Sequence, residues 1–191
     1  MSDYDFPADV PTKPFHEEVT AIFAGRSSGK TTLAKKLIID HKPRQLVWID
    51  PTQPAQTSLA DLQAKIRAGE KSIMFGGGDP KLALAALMYC YAESTKEKPI
   101  YVVCDEARKY LDKKRDDIAS IFNLGRHAGL GVMIISQRPS AVHPDYRNQA
   151  SIFHWGRLVQ ADAQIASGTI GSEAAANLPS AKVGEFIEAK P

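Results

Sequence analysis

The sequence predicts an α/β fold, a mostly parallel sheet with helices on both faces. Short apolar runs alternate with helical stretches along the chain, and most of those runs are continuously hydrophobic, as strands buried on two sides must be. The length and composition agree: 191 residues, 43% apolar and 24% charged, are ordinary for one compact domain with a core of its own.

The elements follow in order. Residues 1–18 carry Pro7, Pro11 and Pro14 among polar groups and read as an extended arm. Val19 to Ala24 is a short buried strand, followed by a Gly/Ser turn and a helix over Thr32 to Asp40 that Pro43 closes. Leu46 to Ile49 is a second strand ending at Asp50-Pro51. Ser58 and Asp61 form a capping box for a helix that Gly69 terminates. Ser72 to Phe75 is a third strand, and Leu82 to Ala92 a helix apolar on nearly every face, hence buried on more than one side. Ile100 to Cys104, Val132 to Ile135, Ser151 to Trp155 and Glu185 to Ala189 complete the expected strands. Residues 19–191 thus read as one α/β domain.

Charge and cysteine content narrow the function classes. Twenty-four Lys and Arg against 22 Asp and Glu leave a net +2, too balanced for a basic coat, so any nucleic-acid contact is local. Two cysteines, Cys90 and Cys104, do not make a disulfide scaffold and fit a reducing compartment. No apolar run reaches the ~20 residues of a membrane span, and the acidic, proline-bearing start is unlike a signal peptide. Secreted, membrane-spanning and disordered classes are therefore not expected. His16, His41, His127, His143 and His154 have no metal-ligand spacing with either cysteine, so no zinc site is expected.

One motif carries specific chemistry. Ala24-Gly25-Arg26-Ser27-Ser28-Gly29-Lys30-Thr31, followed by Thr32, lies between the first strand and its helix and matches the Walker A phosphate-binding loop, with Ala24 where the strict form has glycine. Backbone N–H groups of such a loop form an anion nest, and Gly29 lets the chain approach phosphates closely. Lys30 would reach the β- and γ-phosphates of a nucleotide, and the Thr31 hydroxyl would ligate Mg²⁺. The plainer alternative is a flexible Gly/Ser turn with a solvated lysine, against which the strand–turn–helix context argues.

The fourth strand ends in Asp105-Glu106. An Asp there holds the Mg²⁺ shell in phosphoryl-transfer sites, and an adjacent Glu can polarise the attacking water. The competing reading is a helix N-terminus whose acids complement the helix dipole. The fifth strand ends in Ser136-Gln137-Arg138-Pro139, placing Gln137 where open α/β sheets bind ligands, either sensing a γ-phosphate or satisfying loop backbone.

Taken together, AGRSSGKT, VVCDEA and GRHAGLGVMIISQRP resemble the HerA/FtsK superfamily of P-loop ATPases, ring-forming motors that move DNA. HWGRL and VGEFIEA extend the resemblance over roughly Val19 to Ala189. A bare core of this size is similar to the genome-packaging ATPases of tailless internal-membrane viruses and phages. The resemblance implies a RecA-like (ASCE) P-loop NTPase core, ATP and Mg²⁺ as cofactors, and non-sequence-specific double-stranded DNA as partner. It also implies self-association into a ring, of hexameric type, with capsid vertex or membrane proteins as further partners. The location implied is the host cytoplasm or the virion.

By the same resemblance Lys30 and Thr31 bind nucleotide and Mg²⁺, Asp105 orders the metal, Glu106 activates water and Gln137 is the polar sensor. A neighbouring subunit's arginine completes the site. Arg126, in the Gly-Arg-His turn that His127 would orient, is the first candidate, before Arg147, Arg157 and Arg138. Ala24 departs from the pattern, and neither an N-terminal barrel nor a C-terminal DNA-reading domain is expected. Alternatives are a nucleotide-binding assembly protein at a virion vertex, which would need neither Asp105-Glu106 nor Gln137, and a HerA-like cellular repair or conjugation motor.

Lys113-Lys114-Arg115 would contact DNA phosphates if it faced a ring pore, but a solvated cluster balanced by Asp116 and Asp117 is the simpler reading. Trp48, Trp155 and Cys104 sit in apolar strands and are expected in the core.

Overall fold

The structure, a computed structural model, describes residues 18–54 and 57–191. The arm expected over 1–18 therefore lies, apart from Glu18, outside the described residues. Seven strands form one sheet: β1 (Val19–Phe23), β2 (Leu46–Ile49), β3 (Ser72–Phe75), β4 (Ile100–Cys104), β5 (Leu130–Ser136), β6 (Ile152–Trp155) and β7 (Ile187–Ala189). Their order is β3-β2-β4-β5-β1-β6-β7. Every pairing is parallel except that of β6 with β7, which is antiparallel.

The connecting helices are α1 (Lys30–His41), α2 (Leu59–Arg67), α3 (Pro80–Glu93), α4 (Asp116–Leu124), a short α5 (Pro144–Arg147), α6 (Gln160–Ile170) and α7 (Ser172–Asn177). They cover the sheet unequally. On one face Ile22, Trp48, Tyr101, Val103, Met133 and Ile135 pack against Ala34 and Ile38 of α1. On the other, Phe23, Ile49, Val102 and Trp155 join side chains of α2, α3, α4, α6 and α7. Strands β4 and β5 are buried along their whole length, which their unbroken apolar sequence requires.

Local signals act as expected. Ser58 and Asp61 form a reciprocal capping box at the start of α2. Helix α3 buries Ala83, Leu84, Ala86, Leu87 and Cys90, and Pro80 occupies its first turn behind the Asp79 cap. Trp48, Trp155 and Cys104 lie in the core, where burial pushes the Cys104 thiol up to about 12. No described helix is long and apolar enough to cross a membrane.

Asp105-Glu106 does not open a helix. Asp105 Oδ1 accepts a hydrogen bond from the Glu106 N–H, Glu106 adopts a left-handed backbone (φ 44°, ψ 41°), and only a 3-10 turn, Ala107–Lys109, follows. The acids therefore do not serve as helix-dipole complements.

Candidate nucleotide site

The site stands at the C-terminal edge of the parallel strands, where the loops after β1, β4 and β5 meet. The loop after β1 is pinned on both sides. Ala24 N–H donates to Ser136 O (3.3 Å) at the end of β5, and Gly25 N–H to Arg157 O (2.6 Å) beyond β6. Ala24 is fully buried, and a Cβ on Gly156 would stand 2.8 Å from its methyl. Ala24 is thus tolerated in place of the motif's first glycine because residue 156 has no side chain.

Ser27 (φ 57°) and Gly29 (φ 88°) turn the loop back on itself, and α1 starts without a side-chain cap. Its first-turn N–H groups meet no side-chain cap, the arrangement phosphate-binding loops use to hold anions. Ser28 is buried, whereas Arg26, Thr31 and Thr32 are exposed. Lys30 Nζ donates to Gly25 O at 2.8 Å, so the ammonium lies folded across the loop mouth. Burial lowers the Lys30 pKa, against the raising influence of Glu106 and Asp105.

Asp105 follows β4 and its N–H donates to Ile49 O at 2.9 Å. Burial, with the charges of Asp50 and Glu106 nearby, pushes its carboxyl up to about 6. Asp50, at the tip of β2, is 7% exposed and accepts from Thr52 N–H (2.8 Å), Thr52 Oγ1 (2.6 Å) and Gln53 Nε2 (3.2 Å). Glu106 is held through both oxygens. Gln137 Nε2 donates to Oε1 at 2.7 Å, and Arg108 Nε to Oε2 at 3.1 Å.

The crowded carboxylates of Asp50, Asp105 and Glu106 are hard oxygen donors, the chemistry that favours a hard cation. Among the described residues no three His, Cys, Asp or Glu form a metal cage.

The C-terminal segment closes the site from outside. Gly184 N–H donates to Ser28 O (3.1 Å), and the Phe186 ring lies against both Gly29 and Gly156. Beside it opens a cavity of about 290 Å³ lined by Trp155, Asn177, Leu178, Glu185, Phe186 and Ile187, among others.

The four expected arginines separate. Arg147 Nη1 donates to Pro139 O (3.0 Å) and Val142 O (3.2 Å), and Arg138 pairs with the buried Asp162 (3.0 Å); both hold loops together. Arg157 is exposed beside the phosphate loop. Arg126 is exposed in the 3-10 turn Gly125–Ala128, its Nε 3.3 Å from His127 Nε2. It precedes β5, so it stands about 20 Å along that strand from Gln137, outside its own chain's site.

Lys114 pairs with Asp145 (3.3 Å) and Arg115 with Asp117 (2.6 Å), so acids answer two of the three charges in the 113–115 cluster. Asp50, Arg108 and Phe186 also stand at the site without having been singled out from the sequence: Asp50 is an acid at a strand's C-terminal tip, Phe186 lies within VGEFIEA, and Arg108 carried no signal.

No protein-family profile matches the chain. Over 99 residues it is 27% identical to the probable DNA double-strand break repair helicase HerA of Methanocaldococcus jannaschii, a match covering 47% of this chain. The chain spans about a fifth of that relative's length (20%). Among solved structures it is similar to the genome packaging NTPase B204 of Sulfolobus turreted icosahedral virus 2. The complex with AMPPCP has TM-score 0.73 and 19% identity, covering 92% of each chain. The complex with ATP-gammaS has TM-score 0.73 and 20% identity, covering 93% of each. The cytoplasmic domain of the Type VII secretion ATPase EccC from Thermomonospora curvata also matches, with TM-score 0.58 and 15% identity, over 91% of this chain and 25% of that one. The chain therefore has the fold of the P-loop NTPases and resembles HerA-type and genome-packaging ATPases.

Proposed function

We propose that this protein is a Mg²⁺-dependent ATPase that translocates double-stranded DNA, as a motor packaging a viral genome, with residues 19–191 as its ATPase domain. The observation that carries the reading is the convergence of Lys30, Asp105, Glu106 and Gln137 on one strand edge, with Glu106 bonded to Gln137. The N–H groups of Gly25 to Thr32 and the Lys30 ammonium bind the phosphates. Thr31 and Asp105 would hold Mg²⁺, which when bound would supply positive charge to the phosphate oxygens. Glu106 takes a proton from the attacking water, and Gln137 sets the direction of its carboxylate. The cavity between Trp155 and Phe186 takes the base, because it adjoins the loop through Gly184 and Phe186 and offers both apolar and polar lining.

An arginine from a neighbouring subunit completes the site, so the active form is a ring. Arg126 is exposed and lies outside its own site, as a residue working in trans must. DNA phosphates are its cargo contacts, without base readout. The likeness to B204 extends over nearly the whole of both chains and supports packaging, whereas the HerA match supports a repair motor. A capsid-protein gene beside this one favours the first and a nuclease gene the second. The direct test is DNA-dependent ATP hydrolysis by the purified protein: Lys30→Ala loses nucleotide binding, and hydrolysis unaffected by that change refutes the site.

A further inference from the structure

The base role given to Glu106 is shared with two partners. Oε1 accepts from Gln137 and Oε2 from Arg108, so an attacking water must share an oxygen with one of them. Arg108 is the partner built to leave. It lies two residues on in a 3-10 turn, with Lys109 N–H bonded to Glu106 O (2.9 Å), so the turn fixes its backbone and its contact to Glu106 runs through the side chain alone. Its side chain is 39% exposed against 19% for Glu106, and a partly exposed ion pair of this kind is weak. Its guanidinium is bonded to Glu106, which Gln137 ties to the tip of β5, and the phosphate loop is pinned to that strand through Ala24 N–H and Ser136 O; its charge also bears on Lys30. A guanidinium offered both a single carboxylate oxygen and a phosphate group favours the phosphate, whose oxygens match its fork.

We propose that Arg108 is a positioning residue that keeps Glu106 in reserve and releases it when the terminal phosphate of a nucleoside triphosphate draws the guanidinium away. The proposal rests on the nucleotide-site reading above. Glu106 and the terminal phosphate then compete for one arginine, while a diphosphate, lacking that phosphate, leaves the Glu106–Arg108 pair in place.

Competition makes a double-mutant test decisive. Dissociation constants for ATP-gammaS and ADP are measured by calorimetry, with Mg²⁺, on the wild-type chain, Arg108→Ala, Glu106→Gln and the double variant. Glu106→Gln tightens ATP-gammaS by about fivefold, because Arg108 is no longer retained, and leaves ADP within about twofold. Arg108→Ala weakens ATP-gammaS by roughly tenfold with ADP again little changed, and Arg108→Lys recovers part of the loss. In the double variant the gain from Glu106→Gln disappears. A gain that survives without Arg108 reflects simple relief of charge repulsion and overturns the proposal, as does an equal loss of both nucleotides in Arg108→Ala. Failure of the wild-type chain to bind either nucleotide, or binding unaffected by Lys30→Ala, overturns the nucleotide site itself and the proposal with it. Arg108 is exposed, so unchanged thermal melts verify that the variants fold.

Discussion

Gln137 Nε2 lies 2.7 Å from Glu106 Oε1, so the amide at the tip of β5 fixes the carboxylate at the tip of β4 across two neighbouring strands. In a water-activating site this contact sets the direction of the base rather than the strength of substrate binding. Gln137→Ala should lower kcat at least tenfold and leave KM within about twofold. An unchanged kcat assigns Gln137 to loop structure alone.

Asp105 carries a stability cost. Its folded carboxyl is raised to about 6 from the ordinary 3.8, chiefly by burial. Above pH 6 the group is charged in both states and folding bears the cost of burying that charge. Below the ordinary value it is protonated in both and the cost is gone. Asp105→Asn therefore stabilises the nucleotide-free, Mg²⁺-free protein at pH 8 by at most about 3 kcal/mol, fading toward zero near pH 4, while abolishing hydrolysis. Melting curves across that pH range test it, and a gain that is largest in acid contradicts it.

Gly156 is packed on two sides, its ideal Cβ falling 2.8 Å from the Ala24 methyl and 2.8 Å from the Phe186 ring. Gly156→Ala should cost about 1–3 kcal/mol and weaken nucleotide binding, because the phosphate loop and its C-terminal cover both move. Adding Ala24→Gly should recover part of the loss. Strict additivity of the two changes, in denaturant melts, rules out the steric coupling.

Ser58 caps α2 on the far side of the sheet order from β6 and β7. Ser58→Ala should cost about 1 kcal/mol, lowering Tm by roughly 2–4 °C, with nucleotide affinity unchanged. A change in affinity would show that α2 is coupled to the site.

Much of this was legible in the sequence because it is local. Strands β2, β3 and β4 have the expected bounds, since unbroken apolar runs between turn residues leave few alternatives. The loop from Gly25 to Thr32 announces itself because phosphates demand glycine, lysine and a hydroxyl at fixed spacing. Asp105-Glu106 was legible as chemistry, but its two acids look equally like a helix start, and only the left-handed backbone at Glu106 decides the conformation. The Arg108 contact depends on that same turn and so was hidden with it. Long-range contacts gave no signal. Nothing near Gly29 or Gly156 in the chain announces that Phe186 will lie across them, and the compensation of Ala24 by Gly156 joins residues that follow two different strands.

A hydrolytic site served by Glu106 and completed by a second subunit makes turnover depend on assembly. The deciding measurement is the rate of ATP hydrolysis per chain, with and without double-stranded DNA, over a range of protein concentration. The expected rate rises with protein concentration and DNA, and falls at least about a hundredfold in Glu106→Gln with ATP binding intact. Hydrolysis at the wild-type rate by Glu106→Gln, or full activity from a strict monomer, would contradict it.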